Sequence, residues 1–468
     1  MRWLAARPQS LWPTYATTAA DLSPKSATRS TRREPSKPLP QCRGASLNKT
    51  ALNQRSPQVT QSTQPALART LSLLHATLYG LGVTIGAGIY VLIGAAAARS
   101  GMHAPLAFVF AALLMSLSAA SFAELAGRLP VAAGEAAYAR EAFGSDKLAT
   151  VIGLLVVGIA VVSAAAISVG SAGYLSVFIA LPPYLLIGIV VLAMGAIAAW
   201  GVKESVSFAG VMTAVEIGGL VLLIFVGLVS EPNVVMRLPE SIPHSVSPAV
   251  FAGFVSTSLL AVFAFIGFEG LANVAEEVRD PQRNLPRAIF MTLAISTLLY
   301  VAVVWISLVT IGAGELAKSD APLALVFERL TGASPKTMSL IAIVATLNGI
   351  IVQIIMSSRV LYGLAHQRQL PPVLARVSPK TRTPLVATAL TTAIVLVLAL
   401  IVPLHDLADT TSRLTLLVFT VVNISLIRIK RRGTTNPPGS AFVAPAWVPW
   451  AAAGACMSLL VLDAIVAD

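Results

Sequence analysis

Residues 249–278 read AVFAGFVSTSLLAVFAFIGFEGLANVAEEV, and the reading of this stretch decides the fold. It is apolar for longer than a bilayer core of about 30 Å requires, yet Gly267, Glu269 and Gly270 lie deep inside it. Glycine weakens a helix and a carboxylate is costly in lipid, so an uninterrupted helix is a poor use of these residues. A second interrupted run, LSLLHATLYGLGVTIGAGIYVLIG, occupies residues 71–94, with Gly80, Gly82, Gly86 and Gly88 close together. Taken alone, this cluster fits either an unwound stretch around 84–88 or a face of small residues packed against a neighbouring helix.

Both runs belong to a series. The chain has 468 residues, 56% hydrophobic and only 12% charged, where a soluble protein has about a quarter charged. Apolar stretches recur near 71–98, 104–125, 148–181, 184–200, 206–229, 249–275, 288–311, 338–364, 385–402, 414–429 and 447–466. In lipid every backbone N–H and C=O must bond within its own segment, so eleven helices are expected rather than a barrel of alternating ten-residue strands. The fold class is therefore an all-α polytopic membrane protein. A soluble enzyme, a secreted disulfide scaffold and a nucleic-acid-binding domain are all poor fits to this composition.

The net charge of +12 is unevenly placed. Residues 1–70 hold eleven Lys/Arg against Asp21 and Glu34. Residues 1–65 are rich in Pro, Ser, Thr, Gln and Arg without an amphipathic period and read as a disordered basic cytoplasmic tail. A transit peptide or an over-extended start fits the same composition. With the N-terminus inside, cytoplasmic loops and flanks carry sixteen basic residues and the other side six, among them Arg99, Arg237 and Arg413. That asymmetry places the tail in the cytoplasm, with the plasma (inner) membrane as the expected location. Cys42 and Cys456 suggest neither a disulfide nor a metal site, and His75, His103, His244, His366 and His405 form no catalytic or metal-binding pattern.

The interrupted runs are the first and sixth spans, matching members of two five-helix halves: residues 66–230 and 248–430, with 440–468 as an additional span. Gly-broken helices at matching positions point to an inverted-repeat carrier with its site at the midplane. An unwound backbone offers N–H groups at a positive helix end, which suit a carboxylate, and free carbonyls at the other half-helix, which suit an ammonium group. A zwitterionic amino acid matches both.

The stretches TIGAGIYVLIG (84–94), FAELAGRLP (122–130), GVKES (201–205) and FAFIGFEGLANVAEEVRDPQRNLPRAI (263–289) resemble the amino acid–polyamine–organocation permeases, in the branch similar to cationic amino acid transporters. The resemblance implies a LeuT-like inverted five-plus-five repeat. It implies that N–H groups of Ile85, Gly86, Ala87 and Gly88 hold the substrate carboxylate. Carbonyls of Phe263, Ala264 and Ile266, beside Gly267, would hold the amino group. Phe265 and Phe268 would be gate or wall residues, although ordinary packing is the commoner role of any single phenylalanine. Glu269 would cap or brace the second half of span six, and Glu276, Glu277 and Asp280 would form an inner-gate or loop-ordering cluster with Arg279 and Arg283.

Three features depart from the family pattern. One helix follows the core where relatives often have more. Span three has no charged residue, and Ile159 stands near where some relatives carry an acid, which favours a neutral substrate over a cationic one. In span five, Glu216 lies near where proton-coupled relatives place a lysine. A carboxylate at mid-membrane is by default functional. It is read as a coupling group that takes up and releases a proton, with a structural hydrogen bond or direct substrate contact as alternatives.

The expected function is secondary active amino acid transport by alternating access, through proton-coupled symport or exchange, with no covalent chemistry. No cofactor is expected beyond a coupling proton, and sodium is disfavoured. The expected partners are a small amino acid and the bilayer, without nucleic acid, and the oligomeric state is open. The rivals are a transport-inactive amino-acid sensor or partner subunit, and a polyamine or cationic amino acid carrier.

Overall fold

A computed structural model describes residues 71–85, 88–129, 134–201, 206–245, 247–273, 278–433 and 442–467. The tail, Gly86, Ala87, Glu276 and Glu277 lie outside the described residues. Each of the eleven apolar stretches forms helix. In chain order the helices are α1 (Leu73–Ile85), α2 (Gly88–Ser100), α3 (Ala104–Arg128), α4 (Gly134–Phe143), α5 (Asp146–Leu175) and α6 (Pro183–Trp200). Then come α7 (Val206–Ser230), α8 (Pro248–Phe265), α9 (Gly270–Asn273), α10 (Pro281–Ile311) and α11 (Ala313–Leu316). The last are α12 (Pro322–Thr331), α13 (Lys336–His366), α14 (Leu385–Ile401), α15 (Leu404–Arg432) and α16 (Val448–Ala467).

Among the described residues, nine helical stretches have the length and apolarity to cross a membrane, by length and composition. One of them, Gly88–Arg128, joins two expected spans through the short 3-10 turn Gly101–His103. Leu73–Ile85 and Leu385–Ile401 are shorter apolar helices. The largest boundary difference is in α15, which starts ten residues before the expected 414. Asp406, Asp409 and Arg413 break the apolar pattern there, but Asp409 and Arg413 are neutralised by Arg99 and Asp463 rather than by solvent. Span three ends at Leu175 rather than 181, where turns lead into Pro182 and Pro183.

The helices turn their polar groups inward. Glu124, Glu216, Thr346 and Asn423 are buried, whereas Leu113, Leu192, Phe225 and Leu298 are exposed on the outside. That inversion suits a hydrocarbon solvent, where unpaired polar groups cost several kcal/mol. The broken first span packs on α7, α8 and α10, and α5 runs against α13 and α15. The C-terminal α16 lies on α3 and α15. It is fastened by Arg413 to Asp463 at 2.7 Å, and by the Ala444 N–H to the Glu124 carboxylate at 2.8 Å.

Two ends of the bundle can be distinguished. One carries Arg128, Arg140, Arg279 and Lys430 and is called the basic face here. The other carries Arg99 and Asp409.

Candidate functional site

The sixth span is broken in the middle of the bundle: it stops at Phe265 and resumes at Gly270, beside the stretch of the first span where α1 ends at Ile85 and α2 begins at Gly88. A Cβ on Gly88 would stand 2.7 Å from the Ala264 Cα. A Cβ on Gly267 would stand 2.8 Å from the Val83 carbonyl and the Thr84 nitrogen. The first span and the break in the sixth thus rest backbone to backbone on each other. Gly267 also has φ of +132°, which side-chain-bearing residues rarely adopt.

Gly86 and Ala87, expected to hold a carboxylate, lie outside the described residues; Ile85 and Gly88 flank them and are buried. On span six, the Phe263 carbonyl accepts the Ile266 N–H at 3.2 Å and so closes a turn of its own helix. Ile266 is buried and extended. The Ala264 carbonyl is the one that faces another span, accepting from the Tyr300 hydroxyl at 3.0 Å. Beyond it, the Gly267 N–H donates to the Glu269 carboxylate at 2.8 Å, so Glu269 braces the turn that carries the break.

The two phenylalanines diverge. Phe265 packs at 5.2 Å from the Tyr300 ring and 6.4 Å from Phe108. Phe268 faces the basic side, edge-on to Phe122 at 5.9 Å and Phe419 at 5.6 Å. Phe122 also meets Phe419 at 4.9 Å and Tyr138 at 6.4 Å. Four rings therefore fill the space between the breaks and the basic face.

Three buried tyrosines, which the apolar pattern hid, tie the broken spans to their neighbours. Tyr174 of α5 donates to the Tyr90 carbonyl of α2, and Tyr90 donates to the Glu216 carbonyl of α7 at 2.6 Å. Tyr300 of α10 reaches both Thr84 O at 2.8 Å and Ala264 O at 3.0 Å. The available signal was simple: a tyrosine in an apolar span needs a partner for its hydroxyl.

Glu216 is buried against α2 and α13. Its Oε1 accepts from the Asn348 amide at 3.2 Å, and its Oε2 is buried with no partner among the described residues. Thr213 of span five abuts the first half of span one, its hydroxyl lying where a Cβ of Gly82 would be. Glu216 comes about one turn later and sits beside the second half. Ile159 is buried, and α5 carries no charged residue after Lys147.

The closing contacts differ between the ends. At the basic face, Leu71 forms an isolated bridge with Val278, and the Arg279 N–H donates to Leu71 O at 2.8 Å. Of the expected inner cluster, Asp280 starts α10 with φ of +47°, its carbonyl accepting from the Arg283 and Asn284 N–H groups. Glu124, absent from the expected site, is fully buried there. It accepts from Arg128 at 2.6 Å and pairs with Lys430 at 2.7 Å. At the opposite end, Arg99 grips both Asp409 oxygens at 2.8 and 2.7 Å and donates to Ser256 O at 3.0 Å. Beside it opens a cavity of about 530 Å³ lined by Val91, Gly94, Gly173, Asp320 and His405 among others. It lies outward from the breaks.

The amino acid permease family profile matches residues 71–467, nearly all of the helical part. The branched-chain amino acid permease BcaP of Bacillus subtilis is 29% identical over 403 residues, covering 80% of this chain and 84% of that protein. The methylthioribose transporter of the same organism is 29% identical over 397 residues, 80% of this chain and 83% of its own. Vacuolar cationic amino acid transporter 2 of Arabidopsis thaliana is 30% identical over 393 residues, 79% of this chain but 61% of its own length. On the extent of the profile match this chain belongs to the amino acid permease family.

Proposed function

We propose that the chain is a secondary active permease for neutral amino acids that works by alternating access about the two helix breaks. The observation that carries this reading is their contact: Gly88 on Ala264 and Gly267 on Val83 and Thr84. In this reading half-helix ends of both signs come to one point, as a zwitterion requires. The carboxylate would be held from residues 85–88 and the ammonium by Ala264 O, with Phe265 and Phe268 walling the outer and basic sides. The absence of charge in α5 beyond Lys147 favours a neutral side chain over a cationic one, and the likeness to BcaP supports a branched aliphatic one. The excess of basic residues on one face supports a cytoplasmic N-terminus in a plasma membrane.

Glu216 is the coupling group in this reading. Its orphaned Oε2 and its contacts with α2 and α13 put a titratable group against moving parts. Replacing Glu216 with Gln leaves substrate binding intact and abolishes accumulation driven by a pH gradient. The test is uptake of labelled amino acids into proteoliposomes with and without that gradient, preceded by a thermal-shift panel that includes lysine, spermidine and methylthioribose. Binding without flux would support a sensor instead. Stabilisation by lysine or spermidine alone would overturn the neutral substrate, and undiminished uphill uptake by Glu216→Gln would remove the coupling role.

A further inference from the structure

Tyr300 is fully buried in the middle of α10, and its hydroxyl stands between two carbonyls of different spans: Thr84 O at 2.8 Å and Ala264 O at 3.0 Å. Ala264 lies in the last turn of α8, where the dipole is negative, and Thr84 lies beside the end of α1 at Ile85. Buried carbonyls require a donor, and a phenol has a single proton to share between these two. Carriers with broken helices commonly meet the same demand with a cation, held by unwound carbonyls and half-helix C-terminal ends. Here a neutral side chain occupies that place. The ring is fixed by Phe265 at 5.2 Å and Phe108 at 6.3 Å, so the hydroxyl is delivered at a set depth.

We propose that Tyr300 is a positioning residue whose hydroxyl stands in for a monovalent cation between the two breaks, so that the substrate site is assembled without sodium. This rests on the reading of the breaks as the amino acid site, because Ala264 O is both Tyr300's partner and the proposed ammonium ligand. The hydroxyl keeps that carbonyl aimed into the seam. When an ammonium group arrives, the phenol proton remains with Thr84 O and Ala264 O passes to the substrate. Thr84 also carries a buried hydroxyl with no partner among the described residues, a further oxygen for an ion if the phenol is removed.

The test compares full-length wild type with Tyr300→Phe in sodium chloride and in choline chloride, reading the thermal midpoint without substrate and then uptake. Wild type should be indifferent to the cation in both. In choline, Tyr300→Phe should raise KM about tenfold, the factor for one lost hydrogen bond of ordinary strength, with maximal rate little changed. Sodium should raise that variant's midpoint and restore most of its KM. A purely structural role would lower the midpoint equally in both salts, and that result overturns the proposal, as does an unchanged KM in choline. Should the variant not fold, sodium titration of wild type decides: an unmoved midpoint supports a seam already filled, and saturable stabilisation by sodium overturns it. The substrate-free midpoints need no amino acid to bind, so they remain decisive if the amino acid reading itself fails.

Discussion

The two ends of the bundle are closed by different physics. At the basic face the seal is packing: Phe122, Phe268, Phe419 and Tyr138 interlock beneath the breaks, and Leu71 bridges Val278. Glu124 is buried there under Arg128, Lys430 and the Ala444 N–H. At the opposite end the seal is a clasp, Arg99 on Asp409 with Ser100 donating to Gly253 O at 2.8 Å, beside a cavity of about 530 Å³. Packing must be rebuilt to open, whereas a clasp needs only to let go. The Arg99 end should therefore open at the lower cost from this state, with the contact between Gly267 and the first span common to both ends.

The largest effect is expected at that shared contact. Gly267→Ala would place a Cβ 2.8 Å from the Val83 and Thr84 backbone at a φ of +132°. No side chain can give way, because what it meets is backbone. Uptake should fall at least about a hundredfold, corresponding to roughly 2.7 kcal/mol of lost function at about 1.36 kcal/mol per decade, even if protein is still made. Near-normal uptake would mean that the breaks do not move against each other.

The next pair separates the ends directly. Glu124→Ala removes the buried carboxylate that Arg128, Lys430 and the Ala444 N–H share, and breaking such a network costs about 3–5 kcal/mol. Arg99→Ala removes a half-buried pair with side chains 16% and 13% exposed. It should lower stability far less, while raising severalfold the labelling rate of a cysteine placed at Ala95 on the cavity wall. The comparison breaks if Glu124→Ala opens the cavity or if Arg99→Ala destabilises more.

The sequence made the all-helical fold and the break at Gly267 legible, because hydropathy and helix-weakening residues act locally. It also marked Glu216 and Glu269 as unusual through the cost of a carboxylate in lipid. What it could not carry is partnership across spans. Arg99 and Asp409 are 310 positions apart, and each alone looks like a solvated loop charge. Tyr300 reads as one more apolar-span aromatic until α10 delivers its hydroxyl to two breaks at once. Glu124 lay in plain view within FAELAGRLP, yet only folding shows that its second oxygen holds the approach to α16. Thr213, not Glu216, meets Gly82, and no spacing rule resolves three residues within a span whose register is unknown.

The smallest effect concerns charge left without a cation. Glu135, in α4 outside the membrane spans, is buried, and burial pushes its carboxyl above the usual carboxylate range. It stands within electrostatic reach of Tyr138 and of Glu269 behind the break, and no ion pair to it is seen among the described residues. The folded protein therefore binds a proton here that the unfolded chain has already released above about pH 4.3. Stability must then fall as pH rises from that value through the raised one, by about 1.36 kcal/mol for each tenfold gain in proton affinity. Glu135→Gln cannot release a proton, so it should match wild type at pH 4.5 and show the higher thermal midpoint at pH 8. Rising pH should thus loosen the packed end. A wild type and Glu135→Gln that lose stability in parallel between pH 4.5 and 8 would overturn this expectation.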